Sequence, residues 1–375
     1  MAGVYIHIPF CKQACHYCDF HFSTQLNHKT AMLSAIKKEI AIRSVTFSQS
    51  IETIYFGGGT PSLLTPTEIA ELIHQVQSHF NVTENPEITL EANPDDLNTF
   101  TLQSLSDSYV NRLSIGIQSF DNRELKMMNR AHNADQAIQC LDAASKLFKN
   151  ISIDLIYGMP DSSLASWQKN IEQALEFDFP HISSYALTIE PKTALYHFVK
   201  QEVITPLEEE KVQDQYHLLV DRMEQNHFVH YELSSFGKQG YFSKNNTAYW
   251  KGKTYLGIGP SAHSFDGQKR SWNVSNNAQY INALQKGMRP FEEEILSKVD
   301  QYNEYIMTGL RTLWGVSEKE VRHRFGESYV EHLLKQSQRY VDEGLLFWDQ
   351  KCLKTTSKGS FLSDGIASAL FLINL

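Results

Sequence analysis

Apolar residues in the first half of the chain gather into short, nearly continuous runs. Stretches with helical periodicity separate them. The runs are VYIHI from Val4, TIYFG from Thr53, ITLEAN from Ile88, LSIGIQSF from Leu113, ISIDLIYG from Ile151 and ISSYALTI from Ile182. Runs that are apolar at almost every position suit strands covered on both faces, as in a parallel sheet. Between them, Met32, Leu33, Ile36 and Ile40 fall at helical spacing over 30–43. Thr65-Pro66-Thr67-Glu68 reads as a capping box with proline at the first helical position, opening a helix that runs to about His79. Asn133 followed by Gln136 opens another helix in the same way.

Repeated strand–helix units predict an α/β fold, a partial (β/α)6 TIM-like barrel. A doubly wound sheet is the weaker alternative, because no GxGxxG follows the first strand. In such barrels chemistry collects at the C-terminal ends of the strands. Here the first strand leads into a cysteine-rich stretch and the second into Gly57–Pro61. The third ends at Glu91-Ala92-Asn93-Pro94 and the fourth at Gln118-Ser119. The fifth carries Asp154, and the sixth is expected to end at Glu190-Pro191. One special group per strand end would build a single shared mouth.

The pattern changes after about residue 205. Residues 206–226 read as an acidic amphipathic helix, and 228–275 are rich in aromatic residues, Gly and Asn. Residues 300–375 read as helices followed by a hairpin formed by GLLFW and LKTTSKG around DQKC. We therefore expect three parts. A core barrel spans 1–235, a connecting region packed on it spans 236–295, and a mostly helical, winged-helix-like domain spans 296–375.

A net charge of −9 and the lack of a basic stripe argue against nucleic acid as a partner. That favours a lid or packing role for the winged-helix-like part. The most apolar stretch, IASALFLINL, is too short to span a bilayer. The opening MAGVYIHIPF has no basic n-region or long apolar run, so no signal peptide is expected and the cytoplasm is the expected compartment. Of the five cysteines, Cys140 and Cys352 are isolated and expected to pack as small hydrophobes.

The other three, Cys11, Cys15 and Cys18, are spaced C-x3-C-x2-C within IPFCKQACHYCDF. Thiolates so close must face one centre. Soft sulfur ligands select zinc or iron–sulfur clusters. A closed structural zinc site needs four ligands, whereas three thiolates suit a 4Fe–4S cluster with one iron left open. Glu91 and Asp154 can accept hydrogen bonds from hydroxyls or an amine, Gln118 can donate and accept, and Arg130 can clamp a carboxylate. Arg130 also reads as a surface residue on the helix of ELKMMNRAH. Asp154, among apolar residues, needs a partner.

The cysteine motif, with the aromatic Tyr17 before its third cysteine, resembles the radical S-adenosylmethionine (SAM) superfamily. The resemblance implies that the open iron binds SAM and that reductive cleavage yields a 5′-deoxyadenosyl radical. YIHIPFC, YFGGGTPSLL, EANPDDL, RLSIGIQSF, DLIYGMP and YLGIGPSAHSF together resemble the oxygen-independent coproporphyrinogen III oxidase family over almost the whole chain. By that resemblance Tyr5, Gly58 and Glu91 contact one SAM. Tyr17, Gly59, Thr60, Gln118, Arg130 and Asp154 contact a second cofactor or its surroundings.

Within that family the oxidase branch resembles longer chains with a further cysteine two residues after the third. Here Asp19-Phe20 follows Cys18, which is similar to the heme chaperone (HemW-like) branch. That branch implies heme, or another tetrapyrrole, as cargo and a client protein as its receiver. Its HNxxYW motif is represented by Asn245-Asn246-Thr247-Ala248-Tyr249-Trp250, with Asn245 in place of histidine. An amide is a poor iron ligand beside an imidazole. Asn245, Tyr249 and Trp250 thus stand as heme candidates, with His263 as an alternative ligand. The readings carried forward are a heme chaperone, a coproporphyrinogen oxidase, and a cluster protein without SAM turnover.

Overall fold

The computed structural model describes residues 2–373. Six parallel strands lie side by side in chain order: β1 (Ala2–Ile8), β2 (Ile51–Gly58), β3 (Val82–Ala92), β4 (Arg112–Gln118), β5 (Ile151–Tyr157) and β6 (His181–Ala186). Each matches one apolar run. Strand β3 starts six residues before Ile88, because Val82–Pro86 is a half-buried to exposed extension joined through a register shift at Ile51. Strand β6 stops at Ala186, so Glu190 belongs to the loop beyond it.

Side chains alternate across these strands. On β4, Leu113, Ile115 and Ile117 are fully buried, and with Met32, Ile36, Leu72, Leu141 and Ile171 of the flanking helices they belong to one large apolar core. The alternate positions carry Arg112, Ser114, Gly116 and Gln118 into the barrel. The helices form as their caps predict. Thr65 and Glu68 make both bonds of the capping box on Pro66–His79, and Asn133 and Gln136 do so on Ala134–Ser145. Losing such a cap costs about 1 kcal/mol. The acidic segment forms the helix Glu209–Gln225.

Residues 229–295 extend the sheet of the barrel at both of its edges. Strands β7 (Val229–Glu232) and β8 (Ser235–Gly237) continue the β6 edge antiparallel. Strand β9 (Tyr255–Ile258) pairs parallel with β1, and β10 (His263–Phe265), β11 (Lys269–Asn273) and β12 (Phe291–Ile295) follow it outward. The sequence hides these strands because they are three to five residues long. All five residues of β12 are also exposed, so no alternation shows. Glu39 ties the segment to helix Lys29–Ser44. It is fully buried and accepts from Gly259 N at 2.9 Å, Asn273 Nδ2 at 2.8 Å and the Tyr280 hydroxyl at 2.5 Å.

The C-terminal part has its own core, centred on Tyr302, Ile306, Val321, Phe325, Leu333 and Leu353. Its sheet runs β13 (Val316–Ser317), β15 (Cys352–Thr355), β14 (Leu346–Asp349). The expected hairpin is β14–β15, and two short helices, Ser357–Ser360 and Ser363–Ala369, follow it. The apolar IASALFLINL stretch falls partly on the second of these, and its last two residues lie outside the described residues. Cys140 is buried in the barrel core, while Cys352 is partly exposed on β15. Among the described residues no helix is long and apolar enough to cross a membrane.

Candidate functional site

The C-terminal ends of the strands surround a cavity of about 420 Å³. Cys11, Cys15, Tyr17, Cys18, Gly58, Gly59, Thr60, Glu91, Gln118, Arg130 and Asp154 all line it. Tyr5 does not reach the wall and stands beneath. No three His, Cys, Asp or Glu side chains among the described residues are placed to hold a single metal ion. The three free thiols along one lip suit instead the corners of a polynuclear cluster, whose thiolates stand further apart. Burial pushes the Cys11 thiol up to about 11 and Cys18 up to about 12. Iron must therefore displace their protons on binding.

The glycine run holds the cysteine loop. Gly59 N donates to Ile8 O at 2.9 Å and Thr60 N to Phe10 O at 2.6 Å. A Cβ on Gly59 would stand 2.5 Å from Phe10 O and 2.9 Å from Ile8 O. Gly58 has φ +106°, and a Cβ there would meet the His7 ring at 2.5 Å. Thr60 Oγ1 donates to Cys11 Sγ at 3.4 Å, the kind of bond that tunes a cluster's potential. The loop's other side is fixed by His7. Burial lowers its pKa to about 4, so the ring is neutral. Its Nε2–H donates to His21 O at 2.8 Å, which leaves Nδ1 to accept from the Tyr5 hydroxyl at 3.2 Å.

Arg130 is not a surface residue. The helix Asn122–Met127 ends before it, and Asn129 takes the left-handed conformation at φ 57°, turning the chain inward. Arg130 then donates to Asn93 Oδ1 at 2.6 Å and Gly116 O at 2.8 Å, and reaches Cys15 Sγ and the Tyr17 hydroxyl at 3.5 Å each. Gln118 is also left-handed, at φ 67°, where a register shift interrupts the β4–β5 ladder. That bulge turns its side chain toward the cavity.

Glu91 and Asp154 face the cavity but are otherwise walled by protein. Desolvation is the main reason the Glu91 pKa rises to about 7, opposed by a 2.7 Å hydrogen bond from Tyr55. Desolvation likewise lifts Asp154 to about 6, opposed by Ser114, which donates at 3.0 Å. Ser114 is the partner that a carboxylate in an apolar strand requires. Asn93, Ser114, Tyr55 and His7 were not singled out from the sequence. Ser114 shares an inward strand position with Gln118, and Asn93 follows directly on the end of β3 two residues after Glu91, which is the signal that could have found them.

The heme candidates lie elsewhere. The helix Lys244–Trp250 closes the opposite end of the barrel. Lys244 N and Asn245 N donate to Glu87 Oε1 at 2.9 and 3.2 Å, and Thr53 Oγ1 donates to Asn245 Oδ1 at 2.9 Å. Asn245 is 2% exposed, and its Nδ2 has no partner. Tyr249 packs edge-on against Tyr255 at 4.5 Å. Trp250 lies 5.7 Å beneath the Arg311 guanidinium, and Lys251 sits 4.0 Å over Trp314, so the C-terminal domain docks against this helix. The same domain joins the β7 edge through Leu233 N to Arg311 O at 2.8 Å. His263 is exposed on β10 and stacks on Trp272 at 5.9 Å.

Comparison with known proteins agrees with the geometry. Residues 5–174 match the radical SAM superfamily, and 296–362 match the HemN C-terminal domain. The chain is 32% identical over 374 residues to heme chaperone HemW of Bacillus subtilis, covering 98% of this chain and 99% of that one. It is 32% identical over 372 residues to heme chaperone HemW of Lactococcus lactis, covering 99% and 97%. It is 30% identical to a mitochondrial radical S-adenosyl methionine domain-containing protein 1 of Danio rerio, covering 99% and 87%. Coproporphyrinogen III oxidase (HemN) from Escherichia coli superposes with a TM-score of 0.84 over 99% of this chain and 90% of that one. At 22% identity that likeness shows the fold alone. The cysteine lip, the ring of strand-end polar groups and the full-length similarity together mean that the chain belongs to the HemW family within the radical SAM superfamily, whose cofactors are a 4Fe–4S cluster and SAM.

Proposed function

We propose that this chain is a heme chaperone that binds heme and delivers it to a client protein. In this reading it carries a 4Fe–4S cluster and SAM at the barrel mouth and works in a reducing, cytoplasmic compartment. The observation that carries the reading is the full-length similarity to proteins named heme chaperone HemW, which spans the barrel and the C-terminal domain alike.

Cys11, Cys15 and Cys18 would hold three irons, and Thr60 would hydrogen-bond to the Cys11 thiolate. When bound, the cluster supplies the electron that cleaves the SAM sulfonium. Glu91 and Asp154 would accept from the cofactor's hydroxyl and amino hydrogens, and Gln118 would donate and accept. Arg130, already fixed by Asn93 and the Gly116 carbonyl, offers its remaining N–H groups to a carboxylate. Gly58 and Gly59 keep the wall low, Tyr17 lines the site, and Tyr5 supports it from beneath through His7. Ionised Glu91 and Asp154 are the receiving forms, so SAM binding weakens as pH falls through the 6 to 7 range of their pKa values.

Among the heme candidates Asn245, Tyr249, Trp250 and His263, only the last is exposed, and its imidazole is a good iron ligand. Anaerobic titration of the reconstituted protein with heme, followed by mixing with a heme-free acceptor, tests the reading. A saturable Soret band that moves to the acceptor is expected. No heme binding, or conversion of coproporphyrinogen to protoporphyrinogen in a parallel assay, would overturn it.

A further inference from the structure

Two of the three lip cysteines are joined by a belt of side-chain hydrogen bonds that crosses the segments after three consecutive strands. It starts at Cys11 Sγ, which accepts from Thr60 Oγ1, just beyond β2, at 3.4 Å. Thr60 Oγ1 in turn accepts from Nδ2 of Asn93, just beyond β3, at 3.4 Å. On its other side Asn93 Oδ1 accepts from Arg130 Nη2 at 2.6 Å. Arg130, in the segment after β4, then reaches Cys15 Sγ through Nη1 at 3.5 Å. Asn93 stands at the middle of the belt, lines the cavity, and reaches each sulfur through one neighbour.

The direction of each bond follows from the groups themselves. Arg130 can only donate, so the Asn93 amide turns its oxygen toward it and its NH2 toward Thr60. A hydroxyl carries one proton. With its oxygen already accepting from Asn93, Thr60 aims that proton at Cys11. A carboxylate at position 93 would accept from Thr60 and draw the proton away. Arg130 is aimed in the same manner. Its Nη2 also donates to Gly116 O at 2.8 Å, and fixing that end of the planar fork turns Nη1 to Cys15.

The cysteine loop has other anchors than this amide. Lys12, between Cys11 and Cys15, is paired with Asp95 at 2.7 Å. Gln13 donates to Asn129 O at 2.6 Å, and Asn129 Nδ2 donates to Ala14 O at 2.8 Å. Asn93 is itself set through its backbone, whose N–H donates to Ser62 Oγ at 3.2 Å. What its side chain adds is the direction of two bonds that end on sulfur.

We propose that Asn93 is a positioning residue that sets the reduction potential of the cluster, by aiming one hydrogen bond at Cys11 through Thr60 and another at Cys15 through Arg130. This role rests on the reading of the lip cysteines as the cluster's ligands, so that their free thiols stand for the thiolates of the loaded protein. Hydrogen bonds to such sulfurs offset negative charge, favour the reduced cluster and raise its potential. Outer groups that orient the partners of a metal ligand commonly tune the metal in this way.

A redox titration of the reconstituted full-length protein, read by electron paramagnetic resonance of the reduced cluster, tests this without SAM. Asn93→Leu keeps the branched shape and removes both polar atoms. It should shift the one-electron equilibrium about tenfold toward the oxidised cluster, a fall of about 59 mV in midpoint. Thr60→Val should lower the midpoint less, since only the Cys11 bond is lost. In the double variant the two falls should not add, because without Asn93 the Thr60 proton is no longer aimed at Cys11. An unmoved midpoint in Asn93→Leu overturns the proposal, as do falls that add in full. If Asn93→Leu holds no cluster, Asn93→Asp decides. Its fall should be larger with Thr60 present than in the Thr60→Val background, and an equal fall in both is an effect of charge alone and overturns the proposal. Wild type that takes up no iron overturns the reading of the cysteines and this role with it, whereas a loaded wild type beside an unmoved Asn93→Leu overturns this role alone.

Discussion

The two ends of the barrel are both ringed with polar side chains, and the rings are used differently. At the closed end Glu87 spends one carboxylate oxygen on two backbone amides, and Thr53 is bonded to Asn245. These groups hold a helix in place. At the open end Glu91 and Asp154 are bonded mainly by hydroxyls and still face a cavity. Both ends are built from inward positions of the same strands, so residue type alone does not distinguish a seal from a site. What distinguishes them is whether the polar groups still face an open cavity, as Glu91 and Asp154 do and Glu87 and Asn245 do not.

The contrast is broken most severely at the cysteine lip. Cys15→Ala should abolish the brown absorbance at roughly 400 nm that marks thiolate-to-iron charge transfer, whereas Asn245→Ala should keep it. Iron content and the visible spectrum check this. Gly59→Ala comes next, because its methyl group would press on the Phe10 and Ile8 carbonyls. It should lower cluster occupancy severalfold and cost about 1–3 kcal/mol, read by iron assay and denaturant unfolding.

Glu91→Gln is a smaller and signed test. The folded-state pKa of Glu91 is raised to about 7, so its contribution to cofactor-free stability is present at low pH and lost as pH rises through 7. The variant should therefore gain on wild type between mildly acidic and alkaline buffer. The gain is on the order of 1–2 kcal/mol once solvent in the cavity is allowed for. The buried histidines His7 and His181 act in the opposite direction on total stability, so the difference between the two proteins is the quantity to measure. The smallest effect belongs to the closed end. Asn245→His introduces a larger ring at a site 2% exposed, and should cost stability without strengthening heme binding. A tighter Soret titration in that variant would show that the closed end opens to ligand.

Much of the open end is legible in the sequence because its signals are local. The cysteine spacing, the glycine run and the strand-end acids each occupy one short segment, and the apolar runs place those segments on neighbouring strands. Arg130 was ambiguous because one left-handed residue, Asn129, decides whether it follows the helix or turns into the barrel. The Tyr5–His7–His21 chain was invisible because it joins a strand to a loop carbonyl that no residue type advertises. The closed end was hardest to read. Helix Lys244–Trp250 meets β1 to β3 from more than 150 residues away, as in its Asn245–Glu87 bond. The strands around it are too short to show a period.

The central claim is that cofactor chemistry belongs to the open end and structural closure to the other. Electron paramagnetic resonance of the reduced cluster tests it most directly. Adding SAM should change the spectrum of wild type and of Asn245→Ala alike, and should leave Asp154→Asn largely unchanged. A wild-type spectrum indifferent to SAM, or an Asn245→Ala protein that loses the response while Asp154→Asn keeps it, would contradict the account.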